Sequence, residues 1–141
     1  MQAADTVSAS SYLAFPTQDL LGGMGNDAFN NGPNVPIDGW YQVDLNLRID
    51  QGATGGVFIG VDLQLFPPNR SGSLGTPQGC FWIAHDAGAG LIGNAVISAL
   101  VKMTAGQYLF PHYVGTATTN CYGSTNWPYQ HFSVRWVSPL S

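Results

Sequence analysis

From Asp38 to Asp50 apolar and polar positions alternate without a break. Tyr41, Val43, Leu45, Leu47 and Ile49 fall on one face, and Trp40, Gln42, Asp44, Asn46, Arg48 and Asp50 on the other. A helix would spread those apolar residues around its circumference, so the segment predicts a long strand with one face on a core. Pro36 and Asp38-Gly39 supply the turn that leads into it. The opposite face carries a Trp, carboxylates and an Arg, groups that require either water or a partner chain.

The same period returns at 57–66, where Val57, Ile59, Val61, Leu63 and Leu65 oppose Phe58, Asp62, Gln64 and Phe66 until Pro67-Pro68 stops the run. Further strands are predicted at 10–15, 80–85, 95–103, 108–114 and 131–137. In 95–103, Ile97, Ala99, Val101 and Met103 oppose Val96, Ser98, Leu100 and Lys102, and in the last strand Phe132, Val134 and Trp136 form the apolar face. Pro111 predicts an edge or a bulge. Residues 17–39, broken by Gly, Asn and Pro, read as short edge strands and turns; 51–56, 69–78, 86–94 and 115–130 read as loops and 104–107 as a tight turn. Residues 1–8, small and polar, read as an N-terminal tail, which leaves 9–141 as a single domain. About eight to ten short antiparallel strands without a helix or repeat predict an all-β, antiparallel two-sheet sandwich, and within that class a jelly roll.

Composition sharpens this picture. Charged residues make up 9% of the chain, there is no Glu, and the basic residues are Lys102, Arg48, Arg70 and Arg135. Exposed helix faces draw on Glu, Lys and Arg, whereas 18 Gly and 9 Pro fit strands joined by turns. A net charge of -4 with a single Lys lacks the electrostatic footprint of a nucleic-acid binder. No apolar run reaches the ~18 residues of a membrane span, and no basic n-region precedes an apolar one, so no membrane is expected and the start is read as cytosolic. Cys80 and Cys121 are read as free thiols, with a bridge between them as the alternative.

Candidate chemistry is sparse. Nucleophile elbows, phosphate-cradling loops and His-Glu-x-x-His are all missing, and His85, His112 and His131 have no metal-ligand spacing. The expectation is a protein that is not an enzyme and uses no cofactor. One loop attracts interest: in an up-and-down path 50–56, 86–94 and 115–130 emerge at one end, and the last carries Tyr122, Trp127 and Tyr129 among small polar residues. Flat aromatic faces with adaptable polar neighbours suit sugar rings and protein partners. The alternative is that Trp127-Pro128-Tyr129 folds back as a lid on the sandwich edge.

The Pro36-x-Asp38-Gly39-Trp40-Tyr41 entry to the long strand is similar to the Pro-x-x-Gly-x-Tyr of the C1q and tumour-necrosis-factor-like jelly-roll family. Ala99 to Leu109 looks like that family's strand, short Gly turn and strand, and Phe132-Ser133-Val134-Arg135-Trp136-Val137 looks like its Phe-Ser-Gly-Phe-type final strand without the Gly. The resemblance covers roughly residues 9 to 139 as an order of elements, and its motifs are short. Bacteriophage minor tail proteins and capsid-surface proteins look like this too, which implies a trimer of jelly rolls in a virion, made in the host cytoplasm.

The resemblance further implies that the first strand, the 39–50 strand, the 95–103 strand and the last share one sheet lining a threefold axis. Trp40, Asp44, Arg48, Lys102, His131 and Arg135 are then expected at the subunit interface, where buried ionic groups set register and partner choice. A solvated sheet face is the alternative. Calcium binding near a trimer apex occurs in the family, but no Asp-rich loop here matches it. The expected partners are the chain itself as a homotrimer, other virion proteins and a host cell-surface glycan. A secreted C1q-like binding module is the alternative function. A cupin-like enzyme is a third, which would need clustered His ligands inside the barrel.

Overall fold

The alternation at 39–51 becomes the spine of the fold. The computed structural model describes residues 5–7, 11–12, 24–26, 32–51, 57–69, 75–85, 91–115, 119–122 and 131–140. They form β1 (Asp5–Val7), β2 (Ser11–Tyr12), β3 (Gly25–Asn26), β4 (Pro33–Asn34), β5 (Gly39–Gln51) and β6 (Val57–Phe66). These are followed by β7 (Thr76–His85), β8 (Leu91–Met103), β9 (Tyr108–Gly115), β10 (Thr119–Tyr122) and β11 (His131–Ser138). The first sheet has β5 at its centre. One flank pairs with β8 from Gly39↔Met103 to Gln51↔Leu91. On the other flank β11 covers Trp40 to Asn46, β10 covers Arg48 to Asp50, and β1 lies beyond β10. The second sheet runs β3-β4-β9-β6-β7, with β2 also on β9.

The two sheets enclose one core, because the apolar pleat of each strand turns inward. Tyr41, Val43, Leu45 and Leu47 of β5 pack with Val61, Leu63, Ala95, Ile97, Val101, Met103, Leu109 and Tyr113, and Phe132 and Val134 are partly buried against them. Burial pushes the Tyr41 phenol above its ordinary pKa, against the opposing pull of the bond its hydroxyl donates to the Ile37 carbonyl at 2.7 Å. The turn from β8 to β9 is closed by Gln107 N donating to Thr104 O, and Gly106 supplies the φ of 83° that its third position needs. That turn is tied to the entry of β5 by Gly106 N to Val35 O, Val35 N to Gln107 O and Ala105 N to Asp38 Oδ1.

Several elements depart from the sequence expectations. β8 begins at Leu91, not Ala95, because Gly93 and Asn94 are held in the ladder by Ile49 and Arg48. β7 begins at Thr76 and includes Pro77, tolerated beside a register shift at Leu63/Gln64 in a strand that pairs, among the described residues, with β6 alone. β10 lies inside the expected 115–130 loop, and Asp5–Val7, within the expected tail, is a strand on it. β2 belongs to the second sheet, so the first strand expected at the interface is not there. β9 is interior, and Pro111 falls between its short partners, β4 at Tyr108 and β2 at His112 and Tyr113. Trp136, expected on the apolar face, is 42% exposed beside the bulge that precedes Ser138.

Candidate functional site

The outer face of the first sheet gathers most of the residues singled out by sequence. Register sets them in rows across β8, β5 and β11: Lys102, Trp40 and Ser138; Leu100, Gln42 and Arg135; Ser98, Asp44 and Ser133; Val96, Asn46 and His131. Arg48 continues the β5 positions, in register with Asn94 and Tyr122. Trp40 and Asp44 are half-buried, while Lys102, His131 and Arg135 are exposed.

A tight polar set stands at the centre. Ser98 Oγ donates to Asp44 Oδ1 at 2.6 Å, Gln42 Nε2 donates to the same oxygen at 3.1 Å, and Gln42 Nε2 lies 2.9 Å from Ser98 Oγ. The Ser98 and Gln42 hydrogen bonds hold the Asp44 carboxyl below its ordinary range, with partial desolvation opposing them and the charges of Arg135 and protonated His131 assisting. Asp44 therefore meets Ser98 and Gln42 directly, and the basic residues act on it through space.

Sequence reasoning missed the apolar part of this face. Val96 and Leu100 on β8 are 58% and 55% exposed, and Val137 on β11 is 48% exposed. Large apolar residues on the polar pleat of a strand were the signal available for them. Ser98 and Gln42, which anchor Asp44, carried no such mark.

The expected recognition loop is divided. Tyr122 belongs to β10, in register with Arg48 along the edge of β5, while residues 52–56, 86–90 and 116–118 of the expected loop cluster lie outside the described residues. Trp127 and Tyr129 lie outside the described residues. Cys80 stands in β7, in register with Asp62, and Cys121 in β10 of the opposite sheet. Among the described residues no three His, Cys, Asp or Glu side chains gather in a way that could hold a metal ion.

With this geometry in place, comparison with solved structures is decisive for the fold. Eiger TNF from S. frugiperda superposes over 97% of this chain and 87% of its own, with a TM-score of 0.71 at 12% sequence identity. The fold is a tumour-necrosis-factor-like jelly roll. At that identity the likeness is one of architecture alone. No protein-family model matches the sequence of this jelly roll. No curated protein matches it either.

Proposed function

We propose that the chain is a non-enzymatic structural and binding module that closes into a homotrimer through the outer face of its first sheet. The observation that carries this reading is the set of exposed Val96, Leu100 and Val137 around the hydrogen-bonded Gln42, Asp44 and Ser98. A solvated face has no use for such apolar residues flanking an ordered polar centre, whereas an interface has. Charge favours a head-to-tail contact. Arg48, Lys102 and Arg135 lie on β5, β8 and β11 with Asp44 and Asp50, while the other six Asp residues fall outside those strands, with Arg70 as the only basic residue among them. Two such faces meeting each other would oppose like charges; a face meeting a different surface of the next copy would not, and such contacts close into a ring when the rotation between copies is a third of a turn.

The place proposed for this trimer is a bacteriophage virion, as a capsid decoration or minor tail protein that touches other virion proteins and, at a recognition end, a host-surface glycan. The low-charge, Gly- and Asn-rich composition supports that reading. A secreted C1q-like binding module is the second reading, and the tumour-necrosis-factor-like fold is compatible with its binding role.

Sedimentation at micromolar concentration tests assembly, with Leu100→Asp as the variant, since a half-exposed residue is replaced without disturbing the core. The expected result is a trimer that Leu100→Asp converts to a folded monomer. A monomeric native protein, or a trimer indifferent to Leu100→Asp, refutes the face as an interface. Mass spectrometry of purified virus particles tests the location.

A further inference from the structure

The exposed large apolar side chains of the described residues fall into two groups. Val96 and Leu100 stand on the outer pleat of β8, in register with Asn46 and Gln42 of β5. Ile37 and Trp136, 50% and 42% exposed, lie instead around Gly39. Trp136 pairs with Tyr41, a core residue, and its indole reaches back to Gly39, where a Cβ would press on Nε1 and stand 2.8 Å from Cδ1. Ile37 is two residues upstream of that contact. Val137 is the extra residue of the bulge, between Trp136, opposite the inward Tyr41, and Ser138, opposite the outward Trp40. The two groups therefore meet at a corner of the sandwich, with Val137 on its edge.

The second group is rigidly presented and carries the opposite charge. Gly106 N donates to Val35 O at 2.7 Å, Val35 N to Gln107 O at 3.0 Å, Ala105 N to Asp38 Oδ1 at 2.7 Å and the Tyr41 hydroxyl to Ile37 O at 2.7 Å. A segment pinned in this way leaves Ile37 little backbone ordering to lose when it is covered. Next to it Asp38 is, among the described side chains, the one exposed Asp. Lys102 and Arg135 are exposed on the outer face, the first two residues from Leu100 on β8 and the second in its row across β5.

We propose that the two groups are the walls of a threefold wedge: Ile37 and Trp136 of each copy dock on Leu100 and Val96 of the next, with Asp38 opposite Lys102 and Arg135. This rests on the homotrimer proposed above and names the surface that its outer face meets. A head-to-tail ring needs two different patches that match each other. In a ring of three, each copy fills a third of the circle and its two walls converge on the axis, so the patches have to adjoin at a corner. Patches on opposite sides of the sandwich would build an open filament instead. Val137 then lies nearest the axis. Apolar surface meets apolar surface and acid meets base, while Asp44, the acid within the outer face, is already engaged by Ser98 and Gln42.

The test is sedimentation and two-dimensional NMR of the full chain and of Ile37→Asp and Leu100→Asp; both side chains are half-exposed, so both variants keep the fold. The expected result is a native trimer and two monomeric variants, each contact weakened at least about thirtyfold, the loss of a central anchor. Each variant retains the wall that the other has lost. Mixed, they should form a one-to-one pair and nothing larger. The Trp136 indole N–H signal of labelled Leu100→Asp should move when unlabelled Ile37→Asp is added, and stay still when unlabelled Leu100→Asp is added. A trimer that survives Ile37→Asp but not Leu100→Asp overturns the second wall and leaves the outer face as an interface. A monomeric native protein overturns both. Two monomeric variants whose mixture leaves the Trp136 signal unmoved overturn the wedge, since complementary walls would have met.

Discussion

Asn46 is the residue whose replacement tests the reading of the first sheet most directly. It lies in the middle of β5, between Val96 on β8 and His131 on β11. Its Oδ1 is, among the described residues, the one buried side-chain oxygen or nitrogen without a hydrogen-bond partner. An unsatisfied buried acceptor costs about 1–3 kcal/mol. Asn is also poorly suited to a strand flanked on both sides, by up to about 1 kcal/mol relative to Val. Asn46→Val removes both penalties and sets a β-branched side chain beside Val96. Because Asn46 keeps part of its surface in water, the lower part of the combined range applies, a stabilisation of about 1–2 kcal/mol. With an unfolding entropy near 2.1 cal/mol/K per residue over 141 residues, Tm should rise by about 3–7 °C. Calorimetry at one fixed chain concentration is the assay, since association shifts Tm by mass action. An unchanged or lowered Tm in a variant with native circular dichroism would refute the reasoning, because the Asn46 carbonyl would then be satisfied in solution.

Two other substitutions probe the frame and the site. Gly32→Ala would drive its Cβ onto the Leu109 carbonyl oxygen and to 2.7 Å from Phe110 Cδ1; a backbone atom cannot swing aside, so urea unfolding should show a loss of about 3 kcal/mol. Asp44 has its folded pKa held below the unfolded one, so its contribution to stability is present above about pH 4 and is lost as pH falls through the folded value. Urea midpoints measured from about pH 6 to about pH 2 should therefore converge for the native protein and Asp44→Asn at the acid end. A constant gap would show that Asp44 acts by packing alone.

The period of two made the frame readable. β5 and β6 span nearly the residues that their alternation marks, and Pro67-Pro68 stops β6 where the sequence indicates, although β6 is buried on both faces at Val61 to Gln64. What failed were segments whose local chemistry argues against a strand. Gly93 and Asn94 are poor strand formers, yet the unbroken ladder to β5 carries β8 through them. Thr119–Tyr122 is too short to declare itself within a polar stretch, and becomes β10 only because β5 offers it an edge. At the site, alternation alone places Trp40 and Asp44 on the outer pleat, but the Ser98 bond to Asp44 spans 54 residues and depends on register. The pairing of Asp62 with His112 is equally remote, and their strands show nothing unusual in sequence.

β5 is gripped along its whole length by one strand on one side and by two strands in tandem on the other. Alignment is therefore guaranteed by β8, and the break between Tyr122 and His131 is a joint at which chain length is nearly free to vary. Each doubling of the length of the connection there adds only about 0.6 kcal/mol of closure entropy, and neither ladder has to slip to admit it. A lineage can exchange attachments at this joint while the barrel beneath stays constant, and for the engineer it is the natural port for a grafted peptide or reporter.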